Sequence, residues 1–379
     1  MSRIPFNKPS VVGCEFSFIE EAFKRGQLSG DGYFTKRCNE RIAELAGSPA
    51  ALLTHSCTAA LEMAAILCDL KPGDEVIMPS FTFVSTANAV VLRGATPIFV
   101  DIDQRSLNID PNQVEAAITP HTRAIFAVHY AGFPAEMDRL NQIARVHGLM
   151  VIEDAAQAFG STYKGRPAGS LADIATFSFH ETKNIISGEG GAITVNQQDL
   201  VERAEIIREK GTNRSRFLKG QVDKYTWVDI GSSFLPGELV AAFLFAQLEQ
   251  EGVIRQTRLA LFDRYQGAFA DLARRERVVL PWHSDDVTGN GHMFYLLMRD
   301  IDDRDALIGY LHEAGIIAPF HYVPLHSAPG GRRFGRAEGN LSVTDDMYSR
   351  LIRLPLYFTL GDEIERVIDV TQGWLSTNA

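Results

Sequence analysis

Between about residues 50 and 245 the chain alternates short apolar runs with longer segments of helical spacing. "DEVIMPS" (74–80), "TPIFVDI" (96–102), "RAIFAVHY" (123–130) and "LMVIEDA" (149–155) are rich in Val, Ile and Phe and read as buried strands. Between them, "TAALEMAAILCDL" (58–70), "TANAVVLRG" (86–94) and "AEMDRLNQIARVHG" (135–148) place apolar residues at the 3.6-residue spacing of helices. This alternation predicts an α/β fold with a mostly parallel sheet between helices. Ligands of such sheets collect at the carboxyl ends of the strands. Further on, "DIATFSF" and "GGAITVN" read as two more strands, separated by a stretch containing a single lysine, Lys183.

The pattern changes after residue 245. Residues 246–276 carry a long, charged helical pattern. The apolar run "HMFYLLMRD" (292–300), a helix near 303–314, the run "IIAPFHY" (316–322) and a last helix over 362–375 follow it. These elements predict a smaller α+β domain. The expected division is an N-terminal segment 1–30 packing on the C-terminal part, a large domain 31–248 and a small domain 249–379.

The chain has 379 residues, 45% of them hydrophobic, the balance of a globular protein. A net charge of -10 argues against a nucleic-acid partner, which needs a basic surface. Cys14, Cys38, Cys57 and Cys68 form no CxxC pair and suggest neither zinc nor a disulfide framework. "MSRIPFNKPS" lacks an apolar h-region, and no apolar stretch has membrane-spanning length, so a cytoplasmic protein is expected.

Several strand-end residues suggest chemistry. Asp154 closes an apolar strand, where a buried carboxylate needs a partner. It suits either the cap of a following helix or a protonated ring nitrogen, with Gln157 one turn away. Ser56, Cys57 and Thr58 open an apolar helix, an arrangement that serves as a helix cap or as a phosphate site. Phe81 and Phe83 bracket a threonine at a strand end, where one of them can stack on a planar ring. Lys183 follows Asp154 by 29 residues, with Ser178 five positions before it. An amine, an acid, an aromatic face and a phosphate cradle are together what pyridoxal phosphate requires.

The sequence resembles the sugar-nucleotide aminotransferases of pyridoxal-phosphate fold type I, and most closely the dTDP-4-amino-4,6-dideoxygalactose transaminases. The resemblance runs the whole length, through "IPFNKPSVVG", "LSGDGYFTKRC", "PGDEVIMPSFTFVSTANA", "EDAAQ", "SFHETKN", "REKGTNRS", "GQVDKYTW", "DIGSSF" and "FHYVPLH". It implies that Lys183 bonds the cofactor, that Asp154 partners its ring nitrogen and that Gln157 contacts the ring hydroxyl region. Phe83 takes the stacking position, Cys57, Thr58 and Ser178 take the phosphate cradle, and His180 lies beside cofactor and substrate. Tyr322 and His326 fall where relatives contact the sugar nucleotide. Many members carry Asn and Arg in the segment matching "GSSFL", the Asn reaching the neighbouring subunit's phosphate; Ser233 and Leu235 stand there instead.

The activity implied is transfer of an amino group from L-glutamate to a dTDP-4-keto-6-deoxy sugar, in a homodimer with active sites at the subunit interface. The alternatives within this class are the gluco epimer or a 3-keto sugar. The polar, aromatic stretch 208–234, with Lys219 and Tyr225, is expected to cross to the neighbouring subunit and meet the nucleotide. A dinucleotide-dependent oxidoreductase would need GxGxxG at a strand–helix junction, which neither Gly30–Gly32 nor Gly188–Gly190 continues into. Lys183 argues against the sugar dehydratases that carry histidine at that position, and the last cysteine, Cys68, lies too early for a cysteine desulfurase.

Overall fold

The computed structural model describes residues 3–378 except residue 219, and at residue 218 only the backbone. Its main sheet has eight strands in the order β1-β9-β8-β5-β4-β2-β3-β12. These are β1 (Ala51–Thr54), β2 (Glu75–Pro79), β3 (Thr96–Val100), β4 (Thr122–Val128), β5 (Met150–Asp154), β8 (Ile174–Ser178), β9 (Gly191–Val195) and β12 (Arg336–Ala337). Only β9 runs against the rest, pairing antiparallel with β8 and β1. The central strands are almost wholly buried, as befits a parallel sheet covered on both faces.

Four early helices set the frame: α1 (Glu15–Arg25), α2 (Tyr33–Ala46), α3 (Cys57–Leu67) and α4 (Val84–Val91). α3 is alanine-rich and buried from Ala59 to Leu67 apart from Glu62, so it packs flat on the sheet. Ser56 caps it, its Oγ accepting from the Ala59 N–H at 3.1 Å. α2 is capped from far away. The Glu238 carboxylate accepts from the N–H groups of Gly32 (3.1 Å), Phe34 (2.7 Å) and Thr35 (3.0 Å), and from the Thr35 hydroxyl.

Beyond residue 248, β11 (Phe294–Leu297) pairs antiparallel with β13 (Leu351–Leu354) beneath the helices Ile301–Glu313, Ser342–Arg350 and Glu363–Asn378. Two strands of this half reach back. β12 extends the edge of the main sheet beside β3, and β10 (Val287–Thr288) joins β6 (Thr162–Tyr163) and β7 (Arg166–Pro167) in a small sheet.

The N-terminal segment is shared between the two halves. Ile4 exchanges backbone hydrogen bonds with Gly315 and Ile317, while α1 lies on the helix Glu238–Glu249, where Phe18 and Phe245 stack with centroids 5.6 Å apart. The helical pattern of 246–276 resolves into two helices, Glu238–Glu249 and Glu251–Arg274, broken at Gln250. No described helix is long and apolar enough to cross a membrane.

Candidate active site

Carboxyl ends of β1, β2, β5 and β8 open into a cavity of about 740 Å³. Lys183, His180, Ser178, Asp154, Gln157, Phe83, Cys57, Thr58 and Tyr322 all line it. The fold therefore brings together residues up to 265 positions apart (322 − 57).

Lys183 sits in the turn that follows β8. Phe179 N–H donates to Gly190 O and Glu181 N–H to Gly188 O, both at 2.8 Å, so the chain folds back toward β9 and presents the turn to the cavity. Burial draws the lysine pKa below 10.5; Cys57 and Asp154 oppose this and Arg353 reinforces it. An amine held this way spends more time unprotonated and nucleophilic. His180 Nδ1 accepts from the Thr182 N–H (3.2 Å) and lies 2.8 Å from the Thr182 hydroxyl, while its Nε2 is 3.6 Å from Glu189 Oε1.

Asp154 is 5% exposed. Its carboxylate accepts from Thr86 Oγ1 at 2.7 Å and from the Ala156 N–H at 3.3 Å. Burial nevertheless holds its pKa above 3.8, and among the described residues no Lys, Arg or His forms an ion pair with it. Gln157 is fixed at both ends of its amide: Oε1 accepts from the Ala131 N–H at 2.7 Å and Nε2 donates to the Tyr322 hydroxyl at 2.9 Å.

Also at the cavity, the Ser56 cap takes the Ala59 N–H, and the Cys57 and Thr58 N–H groups at the start of α3 have no intrahelical partner. Thr58 and Ser85 pair their hydroxyls at 2.8 Å beside them, and the Ser178 hydroxyl closes β8. Burial and the nearby Asp154 push the Cys57 thiol well up, so Cys57 offers this site a backbone N–H and no thiolate charge. β9 passes so near that a Cβ on Gly191 would lie 2.4 Å from Cys57 N.

Phe83 precedes α4 and stays 58% exposed, its ring 6.4 Å from that of Tyr322. Tyr322 stacks on His321 at 3.8 Å.

Thr86, Ser85 and Arg353 are among the lining residues that sequence alone did not single out, as are Arg258, His292 and His321. Thr86 and Ser85 lay unremarked in the strand-end segment that carries Phe83. Arg353 lies on β13, and its only signal is a charge inside the apolar run "LIRLPL". Its guanidinium sits over Phe6 at 4.4 Å and donates to Phe320 O at 3.1 Å, its Nε is buried without a partner, and burial lowers its pKa to about 10.

Other expected residues lie elsewhere. His326 does not line the cavity: its Nδ1 is 2.8 Å from Ser80 Oγ and its Nε2 3.5 Å from Asp345, so it links the end of β2 to the helix Ser342–Arg350. Ser233 is exposed, bridged to Glu209 and outside its own chain's cavity. Tyr225 is 54% exposed and packs edge-on against Phe217 at 5.8 Å, also away from the cavity. Lys219 lies outside the described residues.

The residues present fit pyridoxal phosphate. Lys183 would bond it, Asp154 is a buried carboxylate in no ion pair among the described residues, and the N–H groups and hydroxyls around Thr58 suit an anionic tail.

Comparison with known proteins agrees. Residues 12–372 match the model of the DegT/DnrJ/EryC1/StrS aminotransferase family. The GDP-perosamine synthase of Caulobacter vibrioides is 34% identical, with 97% of each chain covered. DesI, solved in the presence of its TDP-sugar product, superimposes with a TM-score of 0.88 at 30% identity, over 100% of this chain and 94% of that one. The PLP-form of the candidate sugar aminotransferase Spr1654 from Streptococcus pneumoniae gives a TM-score of 0.90 at 27% identity, over 99% of each chain. A match of this extent, over a cavity that carries the matching chemistry, makes the chain a member of the DegT/DnrJ/EryC1/StrS aminotransferase family and a pyridoxal-phosphate-dependent enzyme of fold type I.

Proposed function

We propose that this aminotransferase moves an amino group from L-glutamate to C4 of dTDP-4-dehydro-6-deoxy-D-glucose. The products are dTDP-4-amino-4,6-dideoxy-D-galactose and 2-oxoglutarate, and the amino sugar serves surface polysaccharide biosynthesis. The observation that carries the reading is the shared cavity of Lys183, its amine pKa lowered by burial, and Asp154, a buried carboxylate in no ion pair among the described residues. The TDP-sugar product of DesI and the name of the perosamine synthase support a nucleotide sugar as substrate. The dTDP and galacto assignments rest on the resemblance of "SFHETKN" and "KGTNRS…GQVDKYTW".

Mechanism follows from the side chains. Bound pyridoxal phosphate supplies a ring that accepts electrons while a proton leaves the carbon bearing nitrogen. Lys183 would serve both halves of the cycle: its unprotonated amine can take the proton from the carbon bearing nitrogen and deliver it to the carbon on the other side of that nitrogen. Asp154 would keep the ring nitrogen protonated, and Thr86 holds the carboxylate in place. Phe83 would supply an aromatic surface for the ring. Gln157 fixes the Tyr322 hydroxyl, which faces the sugar nucleotide.

Arg353 pairs with no acid among the described residues, and we place the donor's carboxylate there. Ser233, Tyr225 and Lys219 we assign to the neighbouring subunit's site in a homodimer. The exposure of the first two within one chain supports that assignment.

Incubation with dTDP-4-keto-6-deoxyglucose and glutamate, followed by NMR of the product, tests the proposal. A small H3–H4 coupling is expected for the galacto amine. A large axial–axial coupling would mean the gluco epimer. Lys183→Ala should lose both turnover and the cofactor's visible absorbance; a fully active Lys183→Ala enzyme would refute the assignment of the lysine.

A further inference from the structure

We propose that His292, acting through Asn184, is a positioning residue for Lys183, and that residues 290–292 set the spacing between the lysine turn and the loop after Asp154. The inference deepens the proposed function and rests on Lys183 being the cofactor lysine.

Lys183 itself has only a local backbone anchor, its N–H donating to His180 O at 2.9 Å. Its neighbour Asn184 supplies a distant one. Asn184 Nδ2 donates to Asn290 O at 2.8 Å, which leaves Oδ1 as the acceptor 3.0 Å from His292 Nδ1. His292 must therefore carry its proton on Nδ1. Burial keeps the ring uncharged, and the groups around it (Lys183, Arg258, His321 and Arg353) act in the same direction. A neutral imidazole in one tautomer gives the lysine turn a fixed donor without adding a positive charge beside the amine.

The same segment holds the other loop. Asn290 Nδ2 donates to Gln157 O and to Phe159 O, each at 2.9 Å. One short stretch thus ties the turn after β8 to the loop after β5, the two places that carry Lys183 and Asp154.

The stretch is itself held rigidly. Arg258, buried in the helix Glu251–Arg274, donates to Gly291 O (3.0 Å), His292 O (2.7 Å) and Leu356 O (3.0 Å). At Gly291 φ is +64°, and a Cβ there would lie 2.7 Å from the Arg258 carbonyl carbon. A second anchor of the lysine turn, Asn7 Nδ2 to Glu181 O at 3.0 Å, makes no hydrogen bond to the loop after β5 among the described residues.

The test uses purified holoenzyme as wild type, Asn184→Ala, His292→Leu, His292→Gln and the Asn184→Ala/His292→Leu double variant. Two quantities are read: the pH midpoint of the bound cofactor's visible absorbance, and kcat and KM for the keto sugar. Asn184→Ala and His292→Leu should displace the midpoint in the same direction and lower kcat roughly ten- to a hundredfold, leaving KM nearly unchanged. His292→Gln, whose amide can still donate to Asn184, should recover most of the loss, and the double variant should be no worse than the poorer single one. A midpoint unchanged and a kcat within about twofold of wild type in Asn184→Ala, or losses that multiply in the double variant, would overturn the proposal. Should His292→Leu fail to fold, Asn184→Ala decides alone, because Asn184 is half-buried in a turn. A wild-type holoenzyme without cofactor absorbance would refute the assignment of Lys183 instead, a distinguishable failure.

Discussion

Replacing Asp154 by Asn should stabilise the protein without its cofactor and disable it with the cofactor. The carboxylate is buried, its two hydrogen bonds come from Thr86 and Ala156, and its pKa lies above the ordinary 3.8 because burial outweighs those bonds. An isosteric amide keeps an oxygen for Thr86 but turns its NH2 toward the Ala156 N–H, forfeiting a hydrogen bond to a charged group worth about 1.5–3 kcal/mol. It escapes the desolvation of a buried charge, which costs several kcal/mol before the nearby positive groups offset part of it. We expect a net gain of about 1–2 kcal/mol, or roughly 1–3 °C in a chain of this size.

The sign follows from linkage. A carboxyl whose folded pKa is raised burdens the native state fully at pH values above that folded pKa. The burden shrinks as pH falls through it and is gone below the unfolded value of about 3.9. The advantage of Asn should therefore be largest at pH 8 and smaller at the lowest pH where the protein stays folded. Scanning calorimetry of both apoproteins at these two pH values measures it. With pyridoxal phosphate bound the order should invert, since the ring nitrogen then supplies the missing cation, and turnover of Asp154→Asn should be severely reduced. An apo Asp154→Asn protein less stable than wild type at pH 8 would refute the reasoning and make Asp154 chiefly a cap for the following turn.

Arg353→Leu should raise KM for glutamate roughly ten- to a hundredfold, the value of a charge-assisted hydrogen bond, while KM for the sugar stays nearly constant in steady-state kinetics. Because Arg353 lowers the pKa of Lys183, the same variant should shift capture of pyridoxal phosphate by the apoenzyme to higher pH in stopped-flow absorbance. Glu238→Ala should cost about 2–4 kcal/mol in urea unfolding, since it strips the N-terminus of α2 of its buried acceptor. Mixing Lys183→Ala subunits with Tyr225→Ala subunits should restore activity if stretch 208–234 serves the neighbouring site. No recovery despite verified subunit exchange, with Tyr225→Ala defective alone, would assign the stretch to its own chain.

Much of the architecture was legible because strands buried on both faces must be apolar almost throughout. β2, β3, β4, β5, β8 and β9 all coincide with such runs. β1 is a short run without Val or Ile and β13 is interrupted by Arg353, so neither stands out, and with β13 went Arg353. Gln250 breaks what reads as a continuous charged helical pattern, and Gly252 just beyond it is the sole local sign. In the site, Lys183, Asp154, Gln157 and Ser178 could be found from sequence because each is a polar group at the end of an apolar run, where its cost demands a purpose.

By itself, then, the sequence determined the layered α/β class and the local chemistry of the strand ends, since both follow from spacing along the chain. Which distant residues complete the cavity was decided by tertiary packing alone. Asn290 and His292 reach Asn184 across more than a hundred residues, Arg353 arrives on a strand of the other half, and His326 is drawn off to Ser80 and Asp345. Local periodicity records which face of an element is buried. It carries no record of which other element covers that face, and that pairing is what places these side chains.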